Sequence, residues 1–286
     1  MIIIFILLAF ATCTVWIKEL KISIWSIPLW VVFLIAALVS SVINHYVEWI
    51  GVFEIAIFGL LSYLTKYSAR YRLVYVLHLI VIGLMALLIA MGKFPGFHNP
   101  NIVTDMRFNA DGLPFTHRLR IDGISVGIIL LAVFCSPART WNDWSTILRK
   151  SPPIMLATVI VILGCALLLN FVAVDVKLIP YTFVFLIANL LFTCVMEESF
   201  FRGFLQENVT RLLANWKYGA PLAIVIAALL FGFAHFNGGL MYIALATLAG
   251  LFYGYAKFRV QHIEAAILTH FSVNAVHFIA FTYPNF

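Results

Sequence analysis

Charge is scarce in this chain. Asp, Glu, Lys and Arg make up 10% of its 286 residues, against about 25% in soluble domains. With 64% of residues hydrophobic and a mean hydropathy of +1.04, a soluble globule is excluded. Cysteine is sparse too. Cys13, Cys135, Cys165 and Cys194 all lie in apolar runs, with no CxxC and no Cys/His spacing. They read as small buried apolar residues, and disulfides are not expected. No HExxH is present, so a helix-borne zinc signature is missing. No internal repeat is visible, unlike the inverted halves of many transporters. The net charge of +6 comes without a basic stripe interleaved with aromatics, so no nucleic-acid groove is expected.

What the chain does have is apolar runs. Candidate spans are 1–17, 24–45, 49–65, 72–92, 123–138, 153–174, 178–200, 219–236, 240–256 and 262–282. Several fall short of the ~20 residues that cross a hydrocarbon core, and 49–65 and 123–138 are the weakest. The fold class expected is all-α, a polytopic integral membrane helical bundle of about 8–10 transmembrane helices. Alternate loops hold 13 Lys and Arg on one side and 5 on the other. Under the positive-inside rule this favours ten spans with both termini outside. The first run lacks a basic leading segment, and Lys18 and Lys21 follow it, so it reads as a retained span rather than a signal peptide. Gly92–Asp122, with Pro95, Pro100 and Pro114, reads as an ordered outer loop. It separates residues 1–122, membrane helices to which no role is assigned, from residues 123–286.

Ionisable groups at bilayer depth are costly, by roughly 2.5–3.5 kcal/mol each, so each one in a span is a functional hypothesis. Three constellations qualify, all after residue 196. Glu197-Glu198-x-x-x-Arg202 follows an apolar run; Glu198 and Arg202, four apart, share a helix face and can pair. Glu197 is rotated by about 100° and is left for other work. Phe231-Gly-Phe-Ala-His235 ends an apolar run in a histidine, and His270-Phe-Ser-Val-Asn274 puts an imidazole and an amide one turn apart. His277 continues that face and reads as structural. If the helix containing Glu197 turns near Asn215–Gly219, Glu197 and His235 stand at similar depth, at ~1.5 Å per residue. Gly203, Gly232, Gly250 and Gly254 would let such helices approach. A carboxylate, two imidazoles and an amide around one cavity suit peptide hydrolysis.

Glu-Glu-x-x-x-Arg, Phe-x-x-x-His and His-x-x-x-Asn, in this order on apolar segments, resemble the signature of the CPBP (Abi) intramembrane proteases. That family includes the CAAX prenyl endopeptidases that process Ras-like proteins. The resemblance covers roughly residues 150–286, and would make 123–286 the catalytic membrane domain. It implies a glutamate-dependent endopeptidase with Glu197 as general base for water and His235 as its partner. His270 and Asn274 would form the oxyanion site, with Glu198 and Arg202 supporting. The site is expected to open toward the cytoplasm, whereas the loop assignment places His235 near an outer turn.

Other designs of the same activity fail on the residues. A rhomboid-like serine site needs Gly-x-Ser-Gly, and Gly123-Ile-Ser125-Val126 misses the last position; no Gly-x-Gly-Asp exists for an aspartyl site. No cofactor is expected; the alternative is a divalent metal held by ligands from separate helices. The expected partners are the lipid bilayer and a membrane protein or lipopeptide substrate, with no nucleic acid. The expected location is a prokaryotic cytoplasmic membrane. A non-catalytic, partner-binding role of the bacteriocin-immunity or protein-retention type is the competing reading.

Overall fold

In lipid every backbone N–H and C=O has to be bonded within the protein, which makes helices the default for apolar runs of this kind. The computed structural model describes residues 1–17, 20–22, 25–108 and 113–284. Among them each of the ten candidate spans corresponds to one helix. These are α1 (Ile2–Thr14), α2 (Leu29–Ile43), α3 (Trp49–Ser68), α4 (Arg72–Ala90), α5 (Ile121–Phe134), α6 (Trp141–Leu168), α7 (Tyr181–Leu212), α8 (Gly219–Ala234), α9 (Gly239–Val260) and α10 (Ile263–Ala280). Six are long and apolar enough to cross a membrane: α3, α4, α6, α7, α9 and α10. The protein is an all-helical integral membrane protein. Strand is confined to two short two-stranded sheets, Leu20–Ile22 with Trp25–Ile27 and Asn101–Met106 with Phe115–Arg118.

Three boundaries depart from the sequence reading. The expected span 24–45 gives way at its start to a strand, and α2 begins only after Pro28, whose extended backbone serves as N-cap. The span expected at 153–174 begins at Trp141, because Thr140 and Asp143 form a capping box, each side chain bonded to the other's backbone N–H. Pro152 and Pro153 lie inside that helix. The span expected at 178–200 runs on to Leu212.

The chain forms two compact units. One holds residues 1–102 and 117–135, the other residues 103–116 and 136–286. Thus α5 belongs with the first four helices, where a break at residue 122 would have separated it. Its packing explains why, since α5 lies against α1, α3 and α4. Its first turn is also tied down locally. Asn99 Oδ1 accepts the Ile121 N–H at 2.8 Å, and Asp122 takes two bonds from Arg120, each 2.9 Å. Arg120 in turn donates to the Ala90 carbonyl at 2.7 Å, joining the end of α4 to the start of α5.

In the second unit α7 and α8 form a hairpin, α8 and α9 are the most extensively packed pair, and α10 lies against α6 and α9. Glycine permits the α8–α9 contact. A Cβ on Gly232 would collide with the Thr247 hydroxyl and the Ile243 carbonyl. The core contains Phe201 of α7, Phe231 of α8, Tyr253 of α9 and Val273 of α10.

Candidate active site

The two glutamates stand on a single α-helical turn, Val195–Glu198, with π-helical stretches on both sides, Asn189–Cys194 and Ser199–Gln206. π turns are rare and concentrate at functional sites. Here they set which way α7 points each polar side chain, and the two carboxylates end in different surroundings. Glu198 has no exposed side-chain surface, whereas Glu197 keeps 20% of its own.

Glu198 is held by two cations or donors. Arg202 Nη1 lies 3.1 Å from Glu198 Oε1, and both side chains are fully buried. His270 Nδ1–H donates to the same oxygen at 2.8 Å. Arg202 also donates through Nη2 to the Gly250 carbonyl at 3.0 Å. Its guanidinium lies over the Phe231 ring at 4.6 Å and the Tyr253 ring at 5.3 Å. One turn further on, Gln206 Nε2 donates to the Gly254 carbonyl at 3.2 Å. Residues four apart on α7 thus meet carbonyls four apart on α9. The small-residue pattern of Ala246, Gly250 and Gly254 makes room for this. A Cβ on Gly250 would stand 3.1 Å from Arg202 Nη2, and one on Gly254 would stand 2.8 Å from Gln206 Oε1.

His270 is therefore fixed at one nitrogen, and Tyr253 stacks on its ring at 4.6 Å with 15° between planes. Its other nitrogen, Nε2, faces Glu197 Oε2 at 3.9 Å. Glu197 Oε2 is buried, and no protein hydrogen bond reaches it among the described residues. Glu198 Oε2 is likewise buried without a hydrogen bond, so the difference is that Glu198 Oε1 is fixed by Arg202 and His270.

His235 caps α8, half-buried, with Nδ1 on the Phe231 carbonyl at 2.8 Å. Its ring lies 4.7 Å from Phe231 and 5.2 Å from Tyr242. Among the described residues no ion pair or hydrogen bond joins it to Glu197. Asn274, one turn beyond His270 on α10, donates to Asn189 Oδ1 at 3.2 Å. His277 bonds the Thr282 carbonyl at 3.1 Å and serves the end of its helix. No group of three or more His, Cys, Asp or Glu side chains has metal-binding geometry among the described residues.

The sequence reading missed several neighbours. Tyr253 and Gln206 carry no motif, and the Gly250 and Gly254 carbonyls are invisible in a one-letter string. Arg202 and Lys177 are both buried, at 0% and 8% exposure, where a count of loop charges would not place them. Beyond α10, burial pushes the Tyr283 phenol well above its ordinary range, and Tyr242, Tyr181, Cys194 and Glu197 push it the same way. Tyr283 thus stays a neutral hydroxyl in the field of Glu197.

Fold and site together define a polytopic helical membrane protein whose core encloses a carboxylate–guanidinium–imidazole cluster. Residues 179–276, about a third of the chain, match the family described as Type II CAAX prenyl endopeptidase Rce1-like. That segment carries all three motifs, and its match supports the family expected from them. Neither the curated proteins nor the solved structures contain a match to the chain.

Proposed function

We propose that the protein is a membrane-embedded endopeptidase in which Glu197 activates water. The observation that carries this reading is the unequal treatment of two adjacent carboxylates. Glu198 is held through one oxygen by Arg202 and His270 and is fully buried, while Glu197 keeps 20% of its side chain exposed, has no protein donor on Oε2 among the described residues, and stands 3.9 Å from His270 Nε2. The family match of residues 179–276 supports the same class of reaction.

In this mechanism Glu197 takes a proton from water as the water oxygen attacks the scissile carbonyl carbon. The carbonyl oxygen becomes an oxyanion that faces the His270 imidazole and accepts from the Asn274 amide. Collapse of the tetrahedral intermediate breaks the C–N bond, and the proton held by Glu197 passes to the leaving amine, with His235 assisting. General-base action contributes typically 10²–10⁴-fold. An oxyanion donor contributes about 10²–10³-fold. Glu198 and Arg202 fix His270 and take no proton. The substrate proposed is a membrane-associated protein or peptide, in a prokaryotic cytoplasmic membrane. The chemistry needs no cofactor, so cleavage is expected to persist in EDTA and 1,10-phenanthroline; its loss, with recovery on adding a metal, would replace the glutamate mechanism by a metal-assisted one.

The test is a peptidomic comparison of membranes and medium from cells expressing wild type or Glu197→Gln at equal levels. Specific products should vanish in the variant, and their termini name the substrate. Identical profiles, in cells where deletion still has a phenotype, favour the partner-binding role instead.

A further inference from the structure

A second buried polar cluster lies one helical turn before the glutamates. Asn189 opens the first π stretch of α7 and is 6% exposed. Its Oδ1 accepts the Cys194 thiol at 3.2 Å and the Asn274 amide N–H at 3.2 Å. The Asn274 nitrogen also stands 3.9 Å from Cys194 Sγ, and Cys194 is fully buried. In a regular α-helix residues five apart point about 140° away from each other. Asn189 and Cys194 would then face different neighbours. The i→i+5 winding of the π stretch brings them to one side, toward α10 and Asn274. A leucine at position 189 would suit an apolar run, whereas a buried amide is costly unless bonded.

The chemistry proposed for Asn274 gives this amide a purpose. An oxyanion donor works by being aimed before charge develops. The terminal torsion of asparagine is broad and roughly two-fold, so an untethered amide also presents its oxygen. An oxygen turned toward the oxyanion would repel it. Holding one N–H of Asn274 on the Asn189 oxygen excludes that orientation. Because the amide is planar, the same bond directs the second N–H. We infer that Asn189 is a positioning residue which, flanked by Cys194, sets the amide of Asn274 for oxyanion stabilisation. The inference rests on the reading of Asn274 given above.

The test uses the full chain in proteoliposomes and an internally quenched peptide built on the Glu197-dependent cleavage sequence. The variants are Asn189→Leu, Asn274→Ala and the two combined, with kcat and KM measured for each. Asn189→Leu is expected to lower kcat about 10- to 100-fold with KM changed less than about threefold. Asn274→Ala should lose about 10²–10³-fold. The double variant should be no slower than Asn274→Ala alone, because a residue acting only through Asn274 adds nothing once that amide is gone. Multiplying effects in the double variant, or a wild-type rate in Asn189→Leu, would overturn the inference while leaving the site intact. A wild-type rate in Asn274→Ala, or the absence of any Glu197-dependent cleavage, would remove the reading it rests on and the inference with it. Should Asn189→Leu not fold, Asn189→Ser keeps a polar group too short to reach Asn274, and the same loss and the same non-additivity are expected.

Discussion

The two units differ in the charged and amide groups they bury. In the first, several buried hydroxyls turn back on their own helices. Thr12 donates to the Leu8 carbonyl at 3.0 Å, Ser41 to Ala37 at 2.7 Å and Ser125 to Ile121 at 2.7 Å. Among the described residues its one fully buried acid, Asp122, is neutralised two residues away by Arg120 at the mouth of α5. In the second, the Thr158 and Thr269 hydroxyls do the same, and charged and amide side chains also reach other helices: Arg202 to α9, His270 to α7 and Asn274 to α7. A hydroxyl that bonds its own turn lets a helix carry a small polar residue through lipid at little cost. A guanidinium on α7 that bonds α9 and lies over a ring of α8 fixes their relative rotation. The difference separates scaffolding from a site, and it yields predictions of decreasing size.

The largest effect should come from Arg202→Leu. Removing the cation leaves the buried Glu198 with only the imidazole of His270 as a partner, and breaking a buried ion pair costs about 3–5 kcal/mol. Unfolding in detergent should move to markedly lower temperature, and cleavage should be lost with it. Next is Gly250→Leu, which forces a side chain against Ala228 and Arg202; overpacking of this kind costs about 1–3 kcal/mol. Its thermal transition should fall below that of wild type, and the remaining folded protein should cleave slowly because Arg202 is displaced.

In the first unit Arg120→Leu removes the charged partner of Asp122. Hydrogen bonds to charged groups contribute about 1.5–3 kcal/mol. A stability loss of that order is expected, with the rate per folded molecule unchanged. A fall in kcat there would break the division of labour between the units. The smallest effect belongs to Ser41→Ala, expected to change stability by less than about 1 kcal/mol, measured by the same thermal transition.

Much of this was legible in the sequence. Ten apolar runs became ten helices because lipid leaves the backbone no other solution. The Glu198–Arg202 pair was readable from i,i+4 spacing, and the three motifs pointed to one family. The π stretches were not readable, since no residue pattern announces an i→i+5 turn, and with them went the role of Asn189 and the separate surroundings of Glu197 and Glu198. The early start of α6 was available in the Thr140-x-x-Asp143 cap, which lies outside the apolar run that defined the span. The membership of α5 in the first unit was not available, because packing partners are not encoded in hydropathy.

The central claim is that two adjacent glutamates do different jobs, and the direct measurement is a parallel one. Purified Glu197→Gln and Glu198→Gln are compared with wild type for kcat on the identified peptide and for the unfolding transition in the same detergent. The account predicts that Glu197→Gln loses at least about 10²-fold in rate with its transition unchanged or raised, while Glu198→Gln loses stability. A stable, inactive Glu198→Gln beside an active Glu197→Gln would contradict it.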